Sequence, residues 1–91
     1  MPKFLIQRPI PGLGKFTADE LATASAKSNE VLDGMSGRAQ WVQSYVSDDT
    51  LMCVYIADDE DAVREHAEAS GFLYEKVYPV HTIIDPTTGG C

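Results

Sequence analysis

The chain has 91 residues, 44% hydrophobic and 23% charged, with a formal net charge of −7. That length holds one hydrophobic core and one domain, residues 1–91, and the composition excludes wholesale disorder, collagen and coiled coil. Ten of the 14 acidic side chains fall in residues 48–91, beside two basic ones, an imbalance that argues against nucleic acid and anionic membrane as partners.

Residues 3–8 alternate as a strand, closed by Arg8-Pro9. Pro9, Pro11, Gly12 and Gly14 then predict a stiff turn. Thr17-Ala18-Asp19-Glu20 has the pattern of a capping box. The helix it opens carries Leu21, Ser25, Ser28, Leu32 and Met35 at helical spacing and stops near Gly34 or Gly37. Residues 40–47 and 51–57 read as two strands joined at Asp48-Asp49, a hairpin. A second helix starts at Asp58 or Asp59 and runs to about Ser70, with Gly71 as its stop. Residues 75–84 read as a last strand that Pro79 marks as an edge or a bulge. Residues 85–90 read as loop.

The order is β-α-β-β-α-β, which predicts an α+β, ferredoxin-like fold: an antiparallel four-stranded sheet with both helices on one face. The other face is then bare. With a two-residue hairpin turn, Trp41, Tyr45, Val54 and Ile56 share one face, and Val42, Val46, Cys53 and Tyr55 the other; a one-residue bulge regroups them. An apolar sheet face needs a cover, and a second copy of the chain supplies one as a homodimer of the dimeric α/β barrel type. Trp41, Gln43, Tyr45 and Tyr55 would line the enclosed ligand pocket.

Other candidate groups are sparse. His66, in the second helix, and His81, in the last strand, are the candidate metal ligands or proton shuttles. Their spacing matches no metal motif. Asp58, Asp59, Glu60 and Asp61 suit a helix N-terminus better than a cation loop. Gly12-Leu13-Gly14-Lys15 has the glycines of a phosphate turn without the P-loop spacing. Cys53 sits in an apolar run with no Lys or Arg beside it, as an inert core thiol does. Cys53 and Cys91 make no disulfide framework. The N-terminal residues lack a signal-peptide pattern and no apolar run approaches ~18 residues, so the expected location is the cytoplasm.

Pro11-Gly12, Thr17 to Leu21, Trp41 to Val46, Cys53 to Ala57, Arg64 to Ala67 and Ile84 to Thr88 together carry a resemblance. The chain resembles a family of short bacterial proteins of unknown function whose named representative is a nickel-binding actinomycete protein. The resemblance spans nearly the whole chain. It implies a ferredoxin-like dimer that binds Ni²⁺ or another divalent transition metal. His66 matches the family's histidine on the second helix. Gln43 stands where similar sequences often carry histidine, and an amide is a poorer ligand than imidazole.

Three functions follow as expectations. The first is a divalent-metal-binding homodimer, with His66 and His81 as ligands and further groups from carboxylates or a symmetry mate. The second is a small isomerase, cyclase or cofactor-free oxygenase, with His66 as its catalytic acid or base and an organic ligand in the pocket. The third is a ligand-binding accessory subunit without catalysis.

Overall fold

The structure is a computed structural model, and it describes residues 1–71, 74 and 76–90. Four strands form one antiparallel sheet: β1 (Lys3–Pro9), β2 (Ala39–Val46), β3 (Thr50–Ala57) and β4 (Lys76–Val80), in the order β2-β3-β1-β4. Two helices, α1 (Ala18–Asp33) and α2 (Glu60–Ala69), pack on one face of it. The core lies between α2 and the sheet. Phe4, Ile6, Cys53, Tyr55, Ala57 and Val77 meet Ala62, Val63 and Ala67 there.

Local chemistry sets the element ends. Thr17 Oγ1 accepts from the Glu20 amide while the Glu20 carboxylate accepts from the Thr17 N–H, closing the capping box. Asp59 caps α2 by accepting from the Ala62 amide at 2.8 Å. Glu60 and Asp61 fill the first turn beyond it, where the helix dipole favours anions. Gly71, at φ +80°, ends α2 in a left-handed conformation that a side chain would strain.

The turn after β1 is a short 3-10 segment, Leu13–Lys15. The Gly14 N–H donates to the Asp48 carbonyl at 2.9 Å, and the Gly12 N–H donates to Asp49 Oδ1 at 2.9 Å. A Cβ on Gly14 would sit 3.0 Å from the Asp48 backbone, so the residue is glycine for close approach. One of the amides that a phosphate turn would offer is therefore already given to a carboxylate.

Two expectations about elements are corrected. The last strand is shorter than residues 75–84, because β1 pairs Lys3 with Val80 and supplies no partner beyond. Residue 75 lies outside the described residues. Pro79 does lie on an edge strand, where its missing N–H breaks no central ladder. The tail is not plain loop. Asp85 accepts from the Thr87 and Thr88 amides and caps a 3-10 turn, Pro86–Gly89.

The hairpin faces are corrected as well. A bulge between Trp41 and Gln43 shifts the register, so Trp41 pairs with Tyr55, Ser44 with Cys53 and Tyr45 with Met52. Trp41 therefore lies on the helix-covered face with Cys53 and Tyr55, while Gln43, Tyr45, Val54 and Ile56 lie on the bare one. Val42 is the extra residue and is half exposed. Among the described residues, no helix is long and apolar enough to cross a membrane.

Candidate functional site

The two helices pack differently. α2 buries Ala62, Val63, His66 and Ala67, whereas α1 has no fully buried residue. The inner side of α1 presents the small side chains Ala24, Ser25 and Ser28. A cavity of about 170 Å³ remains beneath α1. Leu13, Phe16, Leu21, Trp41 and Leu51 form its apolar wall, and Val46, half exposed, is also part of the lining. Trp41 donates Nε1–H to Ser44 Oγ at 2.9 Å, so its polar atom is satisfied and its ring serves as wall.

Polar groups gather in one region of this lining. Arg8 lies in phase with Phe4 and Ile6 along β1 and is only 2% exposed. Its terminal nitrogens donate to Ser70 Oγ at 3.4 Å and to the Tyr55 hydroxyl at 3.5 Å. Burial pushes the Tyr55 hydroxyl up, aided by Cys53, so it stays protonated. Burial also pushes the Cys53 thiol up. Arg8 comes close to Cys53 from β1, a cation that the linear sequence does not place there, yet burial outweighs it.

His66 stands behind this region. It is fully buried, with its ring tilted 54° against Tyr55 at 5.0 Å between centroids. Its Nε2 lies 3.0 Å from Ser28 Oγ, and Ser28 lines the cavity. Burial, with Arg8 adding to it, lowers the His66 pKa and keeps the imidazole neutral. Its Nδ1 is buried without a hydrogen-bond partner among the described residues. Among the described residues no carboxylate orients it, so there the Ser28–His66 pair lacks the third member of a hydrolytic triad.

The residues singled out from sequence thus divide. Trp41 and Tyr55 line the cavity under α1, and His66 backs it. Gln43 and Tyr45 are on the opposite face of the sheet, where Gln43 Nε2 donates to the Tyr45 hydroxyl at 2.6 Å. His81 is exposed beyond β4. Among the described residues, no three of His, Cys, Asp or Glu gather as a metal site. Arg8, Ser28 and Ser70 are functional candidates that sequence reasoning missed. The signal was present: an arginine in phase with core residues of β1, and serines at the core spacing of α1.

A family model described as nickel responsive protein SCO4226-like matches residues 4–80. The chain belongs to that family. The resemblance drawn from the sequence motifs agrees with this. A solved structure, SCO4226 from Streptomyces coelicolor A3(2), is similar with a TM-score of 0.76 at 18% identity, covering 90% of this chain and 99% of that one. At that identity the likeness concerns the fold alone, which in this chain is four antiparallel strands and two helices. No curated protein matches the chain.

Proposed function

We propose that the chain is a small-ligand-binding member of the nickel-responsive family, holding its ligand in the cavity between α1 and the sheet. The observation that carries this is the buried Arg8 beside Tyr55, Ser70 and Ser28 in an otherwise apolar cavity. Polar groups converging on a concave apolar space are what a binding site needs. Binding rather than catalysis is favoured because Tyr55 and Cys53 are held protonated and His66 has no orienting acid among the described residues. In this reading the protein acts in the cytoplasm as an accessory subunit. The test is saturable binding of a ring-sized molecule, read from the emission of Trp41, the chain's single tryptophan.

Nickel binding is the second reading, and the family's name favours it. The residues of one chain do not fit a nickel centre. His66 Nε2 is engaged by Ser28, the ring is sealed from solvent, and no three-ligand group stands among the described residues. His81 is accessible but brings one imidazole, so a nickel site would draw on a second chain. Calorimetric titration of NiCl₂ into metal-free protein at pH 7.5 separates the readings. The cavity reading predicts that His66→Ala leaves any nickel heat unchanged. Saturable binding abolished by His66→Ala would replace it with the metal reading.

We also propose a ferredoxin-like homodimer of the α/β-barrel type, formed through the bare sheet face. By register that face carries Leu5, Val54 and Tyr78 in one row and Met52 and Tyr45 beside it. Tyr45 is 59% exposed there. An uncovered apolar face of this kind supports a two-fold contact.

A further inference from the structure

We propose that the cavity's ligand is an uncharged aromatic alcohol or phenol whose ring lies against Trp41 and whose hydroxyl meets the Ser25 and Ser28 hydroxyls of α1. This rests on the cavity reading above and adds the ligand's class. Size bounds the ring. The cavity measures about 170 Å³, and an engineered apolar cavity of roughly 150 Å³ takes one benzene molecule. Drug-sized pockets run to about 300–1,000 Å³, so a large cofactor is excluded. Leu13, Phe16, Leu21 and Leu51 with Trp41 give the ring an apolar surface.

Electrostatics bound the charge. Among the described residues that line the cavity, Arg8 is the single charged one. It is committed within the protein: its terminal nitrogens donate to Ser70 Oγ and the Tyr55 hydroxyl, and it makes a further interaction besides. A ligand carboxylate would shed its water with no cation held open for it, which is costly. A ligand ammonium would meet no carboxylate among the described lining residues and would face the Arg8 charge. An uncharged molecule escapes both costs.

The hydroxyls of the lining bound the polar group. Ser44 Oγ accepts from Trp41 Nε1–H at 2.9 Å, and Ser70 Oγ donates to the Ala67 carbonyl at 3.1 Å. Ser25 and Ser28 bring two more hydroxyls to the cavity, three residues apart on one side of α1. A serine hydroxyl has one proton and two lone pairs, so Ser28 can hold His66 and still take a further hydrogen bond. A ligand hydroxyl both donates and accepts, which suits such partners without any charge.

The experiment is calorimetric titration of the full chain at pH 7.5 with benzyl alcohol, sodium benzoate and benzylammonium chloride, one ring carrying a neutral, an anionic and a cationic group. Trp41 emission is followed alongside, and Ser25→Ala is titrated with benzyl alcohol. The proposal expects wild type to bind benzyl alcohol at least tenfold tighter than either ion, with a saturable change in Trp41 emission. It expects Ser25→Ala to bind benzyl alcohol at least threefold more weakly. A preference below tenfold over either ion overturns the uncharged assignment while leaving the cavity reading standing. Unchanged affinity in Ser25→Ala overturns the placement of the ligand hydroxyl. Binding that leaves Trp41 emission unchanged overturns the placement of the ring. Failure of all three probes to bind wild type overturns the cavity reading and this proposal with it. Should Ser25→Ala not fold, the wild-type comparison still decides.

Discussion

Ser28 on α1 and His66 on α2 meet with 3.0 Å between Oγ and Nε2, and this pair joins the cavity lining to the buried core. The other ring nitrogen has no partner among the described residues, so Ser28 alone satisfies the imidazole. Ser28→Ala would leave a fully buried ring with both nitrogens unmet, at a cost of about 1–3 kcal/mol. Urea unfolding of wild type and Ser28→Ala at pH 7.5 measures it. An unchanged midpoint would mean that the pair contributes nothing.

The lowered His66 pKa makes stability depend on pH. Above the ordinary value of 6.5 the ring is neutral in both folded and unfolded chains. As pH falls below it, the unfolded chain takes up a proton that the folded one refuses. Stability from this group is therefore complete above 6.5 and is lost as pH falls toward and through the depressed folded value. Ser28, Tyr55 and Arg8 face the ring from α1, β3 and β1, and Arg8 repels the proton. Carboxylates also titrate in acid, so the diagnostic quantity is the difference from His66→Gln. That difference should shrink between pH 7.5 and 5.5, and a constant difference contradicts the assignment.

Cys53 is buried and its thiol is pushed up, so it should resist Ellman's reagent in the folded protein. In a Cys91→Ser background, one thiol should react in 6 M urea and essentially none without it. Prompt reaction of the folded variant would mean that the core under β3 opens readily.

The bare sheet face gives a prediction about assembly. Val54 pairs with Leu5 and with Gln43 at the middle of that face. Val54→Glu places a charge there without entering the core between sheet and helices. Sedimentation should show a dimer for wild type at micromolar concentration and a monomer for Val54→Glu, with unchanged circular dichroism. A wild-type monomer would remove the proposed dimer.

The fold was legible where local chemistry decides it. Thr17 with Glu20, Asp59 at the start of α2 and Gly71 after it mark ends that a reader can find from residue types alone. The hairpin's position was legible too, but its faces were not. A single extra residue at Val42 moves Trp41 across the sheet, and no residue type announces a bulge there. The cavity stayed hidden for a related reason. Ser25 and Ser28 repeat at core spacing, but only the folded chain shows that they line a space with Trp41, Leu51 and Tyr55 of the sheet. Arg8 reads as a strand end before Pro9, and its burial comes from long-range packing against Ser70 and Tyr55.

The most direct test of the central claim fills the cavity. Ser25 lines it from α1, and Ser25→Phe would occupy the space with a ring. In a filled core such an insertion costs about 1–3 kcal/mol, whereas over a real cavity it costs little. The measurement is a titration of wild type and Ser25→Phe with benzyl alcohol, read from Trp41 emission, with the melting temperature of each variant taken alongside. The account predicts a saturable response in wild type, none in Ser25→Phe, and a melting temperature that does not fall. Equal binding by both variants, or a collapse of Ser25→Phe stability, would contradict a ligand site beneath α1.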